Sequence, residues 1–154
     1  MLPLVVLLAV PAAHSARQGG QPVALVTAET QNQLIAVSLP SGRILRRLPM
    51  PADPQNVEAG PRTAVVVSTR GGAVTLVDVF TLRIRKVLRG FASPHIAALS
   101  PDGRYAYVTD DARGQLVTIG LAHSRILTRL FVGDRKSTRL NSSHSVTSRM
   151  PSSA

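Results

Sequence analysis

The 154-residue chain has no cysteine and no tryptophan, and aromatic residues make up only 3% of it. Without cysteine, disulfides, thiolate metal sites and thioether-attached haem are excluded from this stretch. With so few rings available, any core must be built from Val, Leu, Ile and Ala. Acidic residues are sparse too, 8 against 18 Lys and Arg, which gives a formal net charge of +10. Such an excess invites a nucleic-acid reading, but its distribution weakens that reading, as the two ends make clear. The length allows one domain or less. Long apolar runs are missing except at the N-terminus.

That N-terminus reads MLPLVVLLAVPAAHSARQGG. Leu2 to Val10 is apolar apart from Pro3, and Ala13-His14-Ser15 follows as a small-x-small cleavage site. The pattern predicts a signal peptide over residues 1–15, a mature start near Ala16 and a linker over 16–22. The run is far shorter than the ~20 apolar residues of a membrane-spanning helix, so no span is expected once the signal is removed. No Lys or Arg precedes it, and the alternative is a strand or helix buried in the fold.

From Asp134 onward hydrophobic periodicity stops. Asp134 to His144 and Ser148 to Ala154 back-translate to a common short-read library adapter, with Ser145-Val146-Thr147 where a sample barcode lies. The match takes in 18 of the 21 residues of 134–154; the alternative is a disordered, Ser-rich basic tail. The adapter reading predicts disorder over 134–154 and a natural chain that continues beyond Gly133. Between Ala16 and Gly133, 14 of the 18 basic and 7 of the 8 acidic residues remain, a net of +7. Arg46-Arg47 and Arg83-Arg85-Lys86 lie in strand-like alternation, which predicts solvated outer strands that blunt a sheet edge. No nucleic-acid partner is expected.

What is present in quantity is repetition. LIAVSLPSGRILRRL from Leu34, VTLVDVFTLRIRKVL from Val74 and LVTIGLAHSRILTRL from Leu116 share apolar offsets, and their starts lie 40 and 42 residues apart. Upstream of each stands a second matching piece, in which Val26, Val67 and Val108 are spaced by 41 and 41. PQNVEAGPRT from Pro54 corresponds with PHIAALSPDGR from Pro94. Three units follow, 23–53, 54–93 and 94–133. In the last, period-two alternation predicts strands over Ile96 to Ser100, Tyr105 to Thr109, Gln115 to Leu121 and Ile126 to Val132. Asp102-Gly103, Gly71-Gly72, Gly114 and Pro40-Ser41-Gly42 supply turns in which glycine takes positive φ. A repeat of about 40 residues holding four strands has the spacing of a β-propeller blade.

SPDGRYAYVTD closely resembles the repeat signature of YVTN-type seven-bladed β-propellers. Tyr107-Val108-Thr109 matches the namesake motif, with Asp110 where Asn is usual. Val77-Asp78 matches the VID strand, and Ser41-Gly42-Arg43-Ile44 the TGKVV turn. The resemblance covers nearly all of Val23 to Gly133, with Glu58-Ala59-Gly60-Pro61 departing from the expected VSPDG. It implies an all-β fold of four-stranded antiparallel sheets, about three blades of seven in an incomplete ring. The first unit is expected to hold three strands, its inner strand coming from the other chain terminus. An open arc leaves two blade faces uncovered, so poor folding in isolation is expected.

Chemistry-bearing residues are few. No Gly-x-Ser-x-Gly, phosphate-cradling glycine loop or His pair with metal spacing occurs, so no catalytic residue or metal ligand is assigned. Asp110-Asp111 are adjacent on a strand and should face opposite ways, which suits hairpin-turn residues better than an acid/base pair; a cation contact is the alternative. His95 precedes the inner strand of the third unit and Gln55 holds the equivalent place in the second. Both are candidates for facing a ligand at the mouth of the central channel, the alternative for His95 being a bond to local backbone. His123 falls in an outer turn. Asp102, Gly103, Tyr107, Val108, Thr109, Asp78 and Gly42 are read as repeat-defining structural residues.

The leader-like N-terminus predicts an exported, periplasmic or extracellular protein, expected to be monomeric as a complete ring. It is expected to be a non-catalytic binding or scaffold protein with an unknown small molecule or envelope protein as partner and no assigned cofactor. The alternative is an enzyme, lactonase-like or linked to haem d1 or quinone, with active-site residues mostly in other blades. The fold supports both.

Overall fold

The computed structural model describes residues 7–9 and 22–133. The rest of the expected signal peptide and linker, and the whole of 134–154, lie outside the described residues. Twelve strands occur in order: β1 (Leu7–Ala9), β2 (Val23–Ala28), β3 (Gln33–Ser38), β4 (Ile44–Pro49), β5 (Pro54–Ala59), β6 (Thr63–Ser68), β7 (Ala73–Asp78), β8 (Arg83–Arg89), β9 (Pro94–Leu99), β10 (Tyr105–Asp110), β11 (Gln115–Gly120) and β12 (Arg125–Phe131). They form three four-stranded sheets, each antiparallel with its strands paired in chain order. The all-β expectation holds, and the strands expected in the third unit match to within two residues at each end.

The first sheet adds one feature to the expected plan. Its own unit supplies the three expected strands β2, β3 and β4, and in this chain β1 from the apolar N-terminus pairs along the edge of β2, with Leu7 opposite Val26 and Ala9 opposite Ala24. A short apolar segment can serve either as the centre of a leader or as an edge strand, because both need only a few consecutive apolar residues.

One correction concerns register. Val26 stands opposite Ile35, Val66 opposite Thr75 and Val108 opposite Val117, each two residues before the last residue of its strand. The structural equivalents are therefore Val26, Val66 and Val108, and Val67 matches Thr27 and Thr109 instead. Three consecutive valines, Val65 to Val67, carry no alternation that would fix the match, and a one-residue slip turns every side chain to the other face. The two extra residues of the third unit lie in the turn between its first two strands. Ala59 and Ala64 close that turn in the second sheet, and Leu99 and Ala106 in the third. Asp102-Gly103 is thus an elaboration of the third unit.

The sheets stack face to face around two apolar clusters. Leu25, Leu34, Ala36 and Leu48 of the first sheet meet Val57, Ala64, Val66 and Val77 of the second. Val65, Val67, Val74 and Leu76 from the opposite face of the second meet Ala97, Ala106, Val108, Val117 and Ile119 of the third. Among the described residues only the second sheet is covered on both faces, and all six residues of β6 are buried. Hence β6 reads as a continuous apolar run, whereas β10 alternates. The contrast is sharp at equivalent positions. Val65 is 0% exposed and Leu88 8%, while their counterparts Tyr107 and Leu130 are 37% and 58% exposed.

Turns repeat as faithfully as strands. Asn32, Gly72 and Gly114 close the hairpins between the second and third strands of each sheet with φ of 52°, 54° and 57°. Their carbonyls accept the N–H of Met50, Phe91 and Val132 in turn. At Gly72 an added Cβ would sit 2.7 Å from the Phe91 carbonyl oxygen, so only glycine fits that approach. On the outer hairpins the same role falls to Gly42, Leu82 and Ser124, with φ of 65°, 50° and 50°. Asparagine, leucine and serine thus stand where a search for glycine finds nothing.

Candidate functional site

One end of the three sheets gathers the starts of the inner strands and the hairpins closed by Asn32, Gly72 and Gly114. Pro54 and Pro94 open β5 and β9, at the strand position where a missing N–H removes least from the ladder. Gln55 and His95 follow them, so the repeat places both at the same height of neighbouring sheets. The His95 side chain is 53% exposed, and its Nδ1 lies 3.0 Å from Oδ2 of Asp111, itself 55% exposed. An ionised Asp111 accepts from Nδ1–H, and that tautomer leaves an acceptor lone pair on Nε2. Among the described residues Nε2 has no hydrogen-bond partner. His95 is therefore fixed by an acidic side chain sixteen positions away.

Gln55 is more committed. Its Nε2 donates to both oxygens of Asp53 at 3.3 and 3.4 Å. The Thr69 hydroxyl lies 2.8 Å from the Pro94 carbonyl and 3.4 Å from Gln55 Oε1, and its single proton belongs to the nearer acceptor. Asp53 is buried, its carboxylate forms an ion pair with Nε of Arg70 at 3.4 Å, and its backbone N–H donates to Oδ1 of Asn32 at 2.9 Å. The chain from Asn32 through Asp53 to Gln55 therefore ties the first sheet to the second.

Asp110 ends β10 and Asp111 opens a single 3-10 turn, Asp111–Arg113, so the two carboxylates separate although only the first lies on a strand. Asp110 turns inward and is fully buried. Its carboxylate accepts the Ala92 N–H at 3.0 Å and the Ser93 N–H at 2.8 Å, with Nη1 of Arg113 at 3.3 Å and Nη1 of Arg129 at 4.0 Å. This pins the connection that enters the third sheet from the second. Sequence reasoning missed the structural roles of Asp53, Asp110, Arg113 and Arg129, because Asn32, Ala92, Ser93 and the Asp110–Arg129 pairing are distant along the chain. Buried acid at a strand end was the available signal, and a neighbouring Asp masked it.

The repeat-defining residues occupy local roles. Val108 is buried between sheets, Tyr107 lies on the uncovered face of the third sheet, and the Thr109 hydroxyl accepts the Ile96 N–H at 3.2 Å beside a break in the β9–β10 register. Asp102 Oδ1 accepts the Ser100 hydroxyl at 2.6 Å and the Arg104 N–H at 3.0 Å, and Gly103 follows at φ 66°. Asp78 Oδ1 accepts the Thr81 N–H at 2.8 Å, the Phe80 N–H at 3.0 Å and the Thr81 hydroxyl at 3.0 Å. The Thr81 N–H does most to hold the Asp78 carboxyl below its ordinary value of 3.8, and the Ser100 hydroxyl does the same for Asp102.

A carboxyl whose pKa is depressed by folding contributes stability that is complete above its unfolded value and lost as the pH falls through the folded one. Asp78→Asn and Asp102→Asn are therefore expected to lower the urea midpoint at neutral pH, and the deficit should shrink as the pH falls below 3.8. Unfolding titrations at about pH 7 and about pH 2.5 check this.

No family model and no curated relative matches the chain. Among solved structures it is similar to hydrazine synthase of Kuenenia stuttgartiensis, at 16% identity and a TM-score of 0.68 over 73% of this chain and 33% of that one. It is similar to the dihydro-haem d1 dehydrogenase NirN in complex with DHE, at 19% identity and a TM-score of 0.66 over 73% of this chain and 26% of that one. Apo AztD from Citrobacter koseri matches at 16% identity and a TM-score of 0.61, over 75% and 33% of the two chains. The chain thus spans about a third or less of the length of these structures. At such identities the likeness speaks for fold alone: the three sheets are blades of a β-propeller.

Proposed function

We propose that the chain is an arc of an exported YVTN-type β-propeller of the cell envelope. In this reading it is a binding or scaffold protein that takes a small molecule or partner protein at the channel mouth. The observation that carries the proposal is the placement of Gln55 and His95 at the same height of adjacent inner strands. There His95 is exposed, fixed by Asp111 and free at Nε2. Support for the YVTN assignment comes from Tyr107-Val108-Thr109 and from the recurrence of one hairpin plan in three consecutive sheets. Export is proposed from the leader-like N-terminus, whose removal at Ala16 would take β1 away from the edge of β2.

A second reading has one observation in its favour. The same Nε2 lone pair of His95 is suited to ligate a metal or to accept a proton, as a haem- or quinone-linked enzyme or a lactonase would require. Among the described residues no three His, Cys, Asp or Glu side chains gather, so His95 would act with groups supplied by other blades.

Expression of the complete gene from a clean assembly separates the two readings. The binding reading predicts a colourless protein without lactonase activity whose N-terminal sequence begins at Ala16. Bound chromophore or lactone hydrolysis abolished by His95→Ala would establish the enzyme reading, and an intact Met1 on protein from the native host would contradict export.

A further inference from the structure

At the end of the sheets opposite His95, a groove of about 460 Å³ runs between the second and third blades. Arg62 and Arg85 reach it from the second blade, and Gly103, Arg104 and Leu121 line it from the third. Three arginines from three separate segments thus line one groove, with Asp78 as the lone carboxylate of the lining.

The charges here are balanced differently from those at the channel mouth. At the mouth Arg70 faces Asp53, while Arg113 and Arg129 face Asp110. In the groove, Asp78 accepts three hydrogen bonds from its own turn through Oδ1. Arg85 donates to the Thr63 hydroxyl at 3.0 Å and to the Leu121 carbonyl at 3.4 Å, so its guanidinium is held in place across the two blades by neutral acceptors. Arg85 is exposed on the outer strand β8, as expected, and its donors in addition reach from one blade to the next. Arg104 lies 4.0 Å from Asp102 and is 72% exposed. The Arg62 carbonyl accepts the Val79 N–H at 3.2 Å, while its guanidinium makes no hydrogen bond or ion pair to a described residue. Gly103, at φ 66°, brings no side chain into the opening.

We propose that this groove binds a small dianion, a phosphate ester or a dicarboxylate, between the forks of Arg62 and Arg104, with Arg85 as a fixed positive floor. Planar guanidinium groups accept oxyanions in paired hydrogen bonds, and a cleft of this size suits a small molecule. The site is independent of the channel mouth, at the other end of the strands.

The test titrates the 154-residue chain with pyrophosphate and, separately, with succinate, against sodium chloride at equal ionic strength, by calorimetry. Saturable binding of pyrophosphate alone assigns a phosphate ligand, and of succinate alone a dicarboxylate. Arg62→Gln with Arg104→Gln is expected to weaken Kd by about tenfold or more. Arg43→Gln with Arg46→Gln removes the same charge from the first blade and should change Kd less than about twofold. Arg85 is left intact because it bridges the blades, and unchanged thermal melts establish that both double variants fold. Heats no larger than those of sodium chloride, or equal losses in the two double variants, would overturn the proposal.

Discussion

Asp110→Ala is expected to cost about 3–5 kcal/mol of folding stability, the size typical of breaking a buried charge cluster by removing one partner. The carboxylate is fully buried and is the shared acceptor for the Ala92 and Ser93 N–H groups and for Arg113. Its loss takes the side-chain acceptor from the Ala92 and Ser93 N–H groups, and it leaves Arg113 and Arg129 near no acid. Asp110→Asn keeps one acceptor oxygen and should cost less, about 1–3 kcal/mol. Equilibrium unfolding in urea measures both. If the two variants were equally stable and within about 0.5 kcal/mol of the parent, Asp110 would be an ordinary surface turn residue, as the Asp-Asp pair suggests by itself.

The second large effect is a contrast between two leucines at one repeat position. Leu88 of β8 is buried against the third blade at 8% exposure, and Leu130 of β12 is 58% exposed on a face that nothing in the described residues covers. Leu88→Ala should therefore cost about 2–5 kcal/mol, the range for deleting a buried leucine. Leu130→Ala should stay within about 0.5 kcal/mol in this chain. In the complete gene product proposed above, Leu130 becomes the counterpart of Leu88 and its truncation should cost about as much. Comparing thermal melts of the two variants in the short chain and in the complete protein shows whether a further blade seats on the face that carries Tyr107 and Leu130.

Much of this fold is readable from the residues. Alternation over Tyr105 to Asp110, glycine at 42, 72, 103 and 114, and recurrent spacing of Leu34, Val74 and Leu116 all report local geometry, and local geometry is what a sequence encodes directly. The register of β6 is different. Val65, Val66 and Val67 are all buried because the second sheet is covered twice, so the pattern that would reveal its facing is erased by the burial itself. Leu82 and Ser124 hide turns because they stand at positive φ where propensity favours glycine.

The site was legible only as positions. His95 and Gln55 fall out of the repeat arithmetic, but their partners do not. Asp111, Asp53 and Thr69 reach them through the stacking of hairpins and connectors. Arg85 reads as a solvated strand residue, because nothing nearby in the chain announces that its donors end on Thr63 and on Leu121 of the next blade.

The account rests on three sheets of one plan, each turned against the next around a common axis. A crystal structure of the complete gene product tests it most directly. Superposing the first three sheets should bring Val26, Val66 and Val108 onto one another, with Tyr107 and Leu130 buried beneath a fourth. Val67 falling onto Val108, or Tyr107 and Leu130 left facing solvent, would contradict it.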